Sequence, residues 1–438
     1  MKKLIYNFWI IMLFIVFGGS AYAQQDRNVI WVHGFTGDAS AWEHYANIFQ
    51  NERKIQNFRD THNTTSGISA ATTYMFVPSY NNESNIGIGH SMGGVMIRYK
   101  DRLGTSLNVP FGGYITVASP NYGAPISNSI LDGSVNSAAA TAANKITAGP
   151  LFMSFGLPWT IVSDWTTKKV ADLFLNCIDF TTTTTNNDLK VGSSIINNLN
   201  AYTSSAHRIA LIAQENSPVH WRMISGKLPK YPCPSSIPCV YFTESEFITL
   251  ISNIRGVYQT NFNFHESMHF FHLGLFTFNP IAALYHKTAK NKWREGMDWI
   301  DDSETIWCQL IGTTKTEWVT YWTWVWNPCP DLPLIGGGPG VFLLPPDDPY
   351  ACDIWIQKQV SGYKQVIYPS DGLLPVYTQE LVGVSGNDRY LIDYANHYEV
   401  KDMSNSKLPN GQSNNETERI LREIFSRQQP SFFNTPTR

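Results

Sequence analysis

Residues 85 to 97 read Asn85-Ile-Gly-Ile-Gly-His-Ser-Met-Gly-Gly-Val-Met-Ile97: a short apolar run, a Gly-His-Ser-Met-Gly-Gly turn, and the start of a helix-like stretch. This is the pattern of a nucleophile elbow, in which Ser91 occupies a sharp strand-to-helix turn with strained backbone angles. Gly89 and Gly93 flank it where a side chain would collide with the neighbouring strand or helix. The turn would hold the Ser91 hydroxyl out at the sheet edge, with the Met92 amide aimed at the place where an oxyanion forms. A bare Gly-x-Ser-x-Gly is common by chance; His90 and Gly94 make the match specific.

Working outward, the chain supplies partners for the serine in a consistent order. Upstream, Asn28-Val-Ile-Trp-Val-His-Gly-Phe-Thr-Gly37 reads as a strand running into a His-Gly turn, which offers the Phe35 amide as a second oxyanion donor. Downstream, Tyr368-Pro-Ser-Asp-Gly-Leu-Leu-Pro375 presents Asp371 in a loop bounded by Gly and Pro. Tyr390-Leu-Ile-Asp-Tyr-Ala-Asn-His397 presents His397 at the end of another strand. In this reading Ser91 attacks an acyl carbon, His397 takes and returns its proton, and Asp371 fixes the histidine tautomer. Asp393, four residues before His397 and on the strand itself, is the fallback acid. His33 and His90 adjoin the oxyanion loop and the nucleophile and read as loop-shaping.

These segments together resemble the α/β-hydrolase superfamily, and within it the bacterial lipases and related esterases. The resemblance is carried by Val32-His-Gly-Phe35, Gly-His-Ser-Met-Gly-Gly94 and Ala118-Ser-Pro-Asn-Tyr-Gly-Ala-Pro125, and by Ser193 to Asn200, Trp221 to Gly226, Asp371-Gly-Leu-Leu-Pro-Val and His397-Tyr-Glu-Val. It implies a mostly parallel central sheet flanked by helices, with lid and cap insertions. It also implies a serine ester hydrolase that needs no cofactor and no metal. Its substrate would be an acyl ester or lipid, met at a membrane or lipid interface. Esterase, acyltransferase and amidase chemistry on the same triad remain open, because the pocket rather than the elbow chooses the substrate. A non-catalytic binding protein on the same fold is a further reading.

The spacing departs from the family at two places. A strand read at Thr73 to Val77 leaves only about eight residues before the elbow strand, too few for a crossover helix. The segment from Lys227 to Lys364 is longer than lipases of this layout carry.

Composition fits a large globular enzyme: 438 residues, 43% hydrophobic, 15% charged. A net charge of -3, without a basic cluster beyond the start, argues against nucleic acid. Residues 1 to 23 read as a signal peptide, with Met1-Lys-Lys, an apolar run from Leu4 to Phe17, and Ala21-Tyr-Ala23 before the expected cleavage. Residues 24 to 438 would then be an exported, soluble hydrolase domain, secreted or periplasmic. The even count of six cysteines (Cys177, Cys233, Cys239, Cys308, Cys329, Cys352) in an exported chain suggests disulfides, with Cys233 and Cys239 the first candidates for a local bridge and buried free thiols as the alternative reading.

Two insertions interrupt the expected core. Residues 126 to 188 form the lid candidate, with an Ala-rich helix near Ser137 to Lys145 and a flexible tract at Thr181 to Thr185. Residues 227 to 364 form an aromatic-rich cap holding eight of the 14 Trp. In it Trp322-Thr-Trp-Val-Trp326 alternates like a half-exposed strand, and Pro328 to Pro346 reads as loop. The cap also contains His265-Glu-Ser-Met-His269, a match to His-Glu-x-x-His. There two histidines a helical turn apart would bind zinc and Glu266 would activate its water, giving a metalloprotease. The aromatic surroundings and the lack of an identified third ligand weigh against that rival.

Overall fold

A computed structural model of the chain describes residues 26–59, 61–78, 84–104, 109–147, 183–215, 244–274, 277–327, 354–403, 406–408, 410–428 and 431–438. It divides into two compact units, Met1–Thr313 with Pro369–Arg438, and Thr314–Tyr368.

The first unit is built on six strands: β1 (Arg27–Val32), β2 (Ile55–Arg59), β3 (Asn85–His90), β4 (Gly113–Val117), β5 (His207–Gln214) and β8 (Arg389–Asp393). They lie in the order β2-β1-β3-β4-β5-β8, and every pairing is parallel. A parallel sheet is covered on both faces, so its strands alternate between two apolar layers instead of between core and solvent. Val29 and Trp31 of β1, with Ile86, Ile88, Ile115, Val117 and Leu211, face one layer. That layer is closed by Tyr45 and Phe49 of α1 (Glu43–Glu52) and by Ile420, Ile424 and Phe425 of α11 (Glu416–Phe425). Ile30, Val32, Tyr114, Ala210 and Ile212 face the other layer. It is closed by Ile68 and Ala71 of α2 (Ile68–Tyr74), Val95 and Met96 of α3 (Met92–Leu103), and Ile196 and Leu199 of α7 (Ser194–Ala201). This architecture is an α/β fold, a parallel sheet covered by helices on both faces.

The strand expected at Thr73 to Val77 is displaced. Thr73 lies in α2, and the strand on the far side of β1 is β2, whose sequence Ile-Gln-Asn-Phe-Arg carries little apolar pattern. The missing crossover is α2 itself, running between β2 and β3.

In the lid candidate, α4 (Pro125–Leu131), α5 (Ser134–Thr147) and α6 (Thr183–Leu189) are helical. The tract expected to be flexible is therefore partly helix. Thr185 is fully buried, its hydroxyl donating to Thr64 O at 2.7 Å and accepting from Gly67 N at 3.2 Å. In the cap candidate, α8 (Glu244–Leu273) and α9 (Pro280–Leu310) form a long antiparallel pair. The C-terminal half of α9 anchors it: Trp299, Trp307 and Leu310 pack with Ile126, Val135, Leu373 and Leu374. The second unit is an antiparallel ribbon of β6 (Thr314–Asn327) and β7 (Ile354–Ile367), with Trp318 and Trp322 exposed and Trp318 edge-on to Tyr363. The short helix α10 (Val376–Gln379) follows the Asp371 loop.

The expected signal peptide, the Trp221 to Gly226 segment, the loop expected at Pro328 to Pro346 and five of the cysteines lie outside the described residues. The sixth, Cys308, is a free thiol in α9, and burial pushes its pKa up to about 11. It takes no part in the disulfide set expected from six cysteines.

Candidate active site

Ser91 sits between the last residue of β3 and the first turn of α3, at φ 54 and ψ -126. A non-glycine residue in this region costs roughly 1–3 kcal/mol and persists only where its surroundings over-determine it. Here they do. Ser91 N donates to Val117 O at 2.9 Å, and Gly94 N donates to Ser91 O at 3.1 Å. The glycines allow helix and strand to close on the turn. A Cβ on Gly89 would lie 2.5 Å from the Gly93 carbonyl carbon, and one on Gly93 would lie 2.5 Å from Val32 O.

The structure brings Ser91, Asp371 and His397 together from three separate parts of the chain. Ser91 Oγ is 2.9 Å from His397 Nε2, and His397 Nδ1 is 2.7 Å from Asp371 Oδ2. A carboxylate only accepts, so Nδ1 carries the ring proton and Nε2 accepts from the serine hydroxyl. Asp371 is fully buried, and its second oxygen accepts from the Leu373 and Leu374 amides at 2.9 and 2.7 Å. Its carbonyl accepts from His397 N at 2.7 Å, which fixes the backbone of acid and base to one another. Asp393 is exposed at the end of β8, without a bond to the imidazole.

Of the two expected oxyanion donors, Met92 directly follows the serine and Phe35 lies one residue beyond Gly34, which packs against it. Met92 is the first residue of α3, where helical N–H groups lack intrahelical acceptors. Phe35 follows Gly34, whose position lies so close to Ser91 that an added Cβ would meet the serine Cβ at 2.8 Å. His33 and His90 hold this wall. His33 Nδ1 donates to Gly34 O at 2.8 Å, its Nε2 accepts from His62 N at 3.3 Å, and the two rings stack with centroids 3.8 Å apart. His90 Nε2 donates to His397 O at 2.7 Å, and complete burial holds the His90 pKa well below the ordinary histidine range.

Several supporting residues carry no local sequence signal. Gln379 accepts from Ala213 N at 2.8 Å and donates to Ala213 O and Leu374 O at 3.1 and 3.0 Å, fastening the acid loop to β5. Asn121 donates to Gln379 O at 2.8 Å, and Arg98 donates to Asn121 O at 3.1 Å. Trp307 reaches the same loop from α9. Its indole donates to Gly372 O at 2.7 Å.

The His-Glu-x-x-His stretch lies on α8, apart from this constellation. His265 Nδ1 faces His286 Nδ1 of α9 at 2.8 Å, and His269 Nδ1 donates to Ala283 O at 2.8 Å. Glu266 pairs with Lys290 at 3.3 Å. Among the described residues no group of three or more His, Cys, Asp or Glu is placed to hold a metal ion.

No protein-family model matches the chain, and no curated protein matches it. Among solved structures it is similar to FphF, the fluorophosphonate-binding serine hydrolase F of Staphylococcus aureus, solved with substrate bound. That match has 16% identity and a TM-score of 0.20 over 25% of this chain and 47% of FphF. The chain thus spans about half the length of FphF. It is also similar to the lin2722 product of Listeria innocua, at 13% identity and a TM-score of 0.19 over 44% of this chain and 72% of that one.

Proposed function

We propose that this protein is an exported serine hydrolase that cleaves carboxylic esters, with acyl lipids as its substrate class, through an acyl-enzyme on Ser91. The observation that carries the reading is the continuous Ser91–His397–Asp371 hydrogen-bond chain at 2.9 and 2.7 Å, at a strained elbow. His397 Nε2 removes the Ser91 proton as Oγ bonds to the acyl carbon, and the carbonyl π electrons move to oxygen. The Met92 and Phe35 amides are the donors for that oxyanion. Collapse expels the alkoxide, which takes the proton from His397. Water then repeats the sequence and releases the acid, restoring Ser91. Buried Asp371 stabilises the imidazolium throughout.

Export is supported by the basic start, the apolar run and Ala21-Tyr-Ala23. The decisive assay uses nitrophenyl esters of rising acyl length, with and without dispersed micelles. Hydrolysis that increases with chain length and jumps at the micelle surface supports a lipase; a preference for short soluble esters makes it an esterase. Absence of hydrolysis on every ester, with no covalent phosphonate adduct at Ser91, overturns the proposal.

A further inference from the structure

The free end of the α8–α9 pair is unusually apolar for an exposed surface. Phe270, Phe271 and Leu273 at the end of α8 are 64%, 54% and 47% exposed; Phe278, Ile281 and Leu284 at the start of α9 are 69%, 82% and 64% exposed. Side chains of this size, gathered at one tip, mark an interaction surface. At 1.5 Å per residue, Ile281 stands roughly 40 Å along α9 from Trp307, which is bonded beside Asp371.

The chemistry just behind the tip identifies what it fits. Residues 262–295 carry Lys287, Lys290, Lys292 and Arg294 against only Glu266 and Glu295. Lys290 and Lys292 pair with those carboxylates, and Lys287 has no carboxylate partner among the described residues. The Lys290 ammonium also lies 5.9 Å from the Phe270 ring, at the boundary between apolar tip and charged collar. An apolar end backed by excess positive charge matches a bilayer surface, whose hydrocarbon takes the Phe, Ile and Leu while anionic headgroups meet the Lys and Arg. Among the described residues no helix is long and apolar enough to cross a membrane, so the tip would embed without spanning. We propose that the α8–α9 tip is a docking surface for anionic phospholipid membranes, independent of the hydrolytic site.

The test is vesicle flotation with full-length Ser91→Ala protein, which leaves lipid intact and removes hydrolysis from the readout. Vesicles are phosphatidylcholine alone or with about one third phosphatidylglycerol, a fraction that gives a strongly anionic surface. The comparison is with the same chain carrying Phe278→Asp and Ile281→Asp, or Lys287→Glu. Every chain keeps its other apolar segments, so differences report the tip alone, and circular dichroism checks that each variant is helical. The expected result is at least ~10-fold weaker partitioning for the double variant, and a smaller loss for Lys287→Glu that disappears in high salt. Equal flotation of parent and double variant overturns the proposal. So does a parent that ignores vesicles and instead self-associates in a way the double variant abolishes, which would make a second copy the occupant.

Discussion

Trp307 Nε1 donates to Gly372 O at 2.7 Å, so the last turns of α9 hold the Gly372–Leu373 peptide, whose own N–H donates to Asp371. Replacing Trp307 by Phe leaves that buried carbonyl unsatisfied at about 1–3 kcal/mol and loosens the Asp371 loop. The expected outcome is a lower Tm together with kcat for a soluble ester reduced by about tenfold, with KM little changed. Melting curves and steady-state kinetics check it. An unchanged kcat would show that the Leu373 and Leu374 amides suffice to position the acid.

Ser91→Ala should fold and lose at least ~10³-fold in ester hydrolysis, because only its hydroxyl forms the acyl-enzyme. A phosphonate ester should add its mass to the parent and not to the variant. Asp371→Asn should cost far more than Asp393→Asn, since Asp371 is buried against the imidazole and Asp393 is exposed. The reverse ranking would reassign the acid.

Gly93→Ala places a methyl group 2.5 Å from Val32 O and 2.6 Å from His33 O, both backbone atoms that cannot swing away. Either α3 or the end of β1 must move. A destabilisation of about 1–3 kcal/mol is expected from such overpacking, and chemical denaturation measures it. Wild-type stability would mean that the elbow is looser than drawn.

Acid stability follows from the buried histidines. Burial lowers the pKa of His90 in the folded protein, so the unfolded chain binds more protons below about pH 6.5, the unperturbed value. Its contribution is thus present above pH 6.5 and is lost as the pH falls towards the folded-state value. Lowered pKa values at His265 and His286 act in the same direction. Between pH 7 and pH 5 the Tm of His90→Asn should fall less steeply than that of the parent, whatever its absolute value. Parallel slopes would count against the contribution of His90.

A chelator should leave the rate of ester hydrolysis unchanged, and Glu266→Gln should alter it little, because Glu266 meets Lys290 on the α8–α9 pair rather than the serine. Loss of all hydrolysis on chelation, restored by zinc, would return the chemistry to His265, Glu266 and His269.

The elbow was legible in the sequence because its geometry is local and intolerant: a few consecutive residues must all be small or strained, and few substitutes exist. Asp371 and His397 were legible through order and loop chemistry, although only tertiary structure brings them within reach of one another. The run Thr73 to Val77 misled because β-branched and aromatic residues read as strand, whereas burial of Ile68, Ala71 and Thr72 on one side makes its first part helix. The true strand β2 is mostly polar, an edge strand recognisable by its partner rather than by its own pattern. Thr185 was missed for a related reason, since contacts with Thr64 and Gly67 override local turn preference. The length of α8 was hidden because Phe264, Phe270 and Phe271 are exposed, which blurs the apolar periodicity that marks a helix. Trp307 acts through one long-range bond and Gln379 through two to Ala213, and these leave no trace in neighbouring residues.

The pairing of β5 with β8 sets Ala210 against Arg389, so neighbours in the sheet are separated by most of the second half of the chain. Loop closure over such a distance must precede any reward from the contacts it makes, which delays the pairing relative to β1, β3 and β4. His397 lies just beyond β8. The proton-transfer machinery is therefore expected to form late in folding, leaving a partly folded chain with an inert serine. Pulsed hydrogen exchange during refolding should show β8 amides gaining protection last, in step with the onset of phosphonate labelling at Ser91.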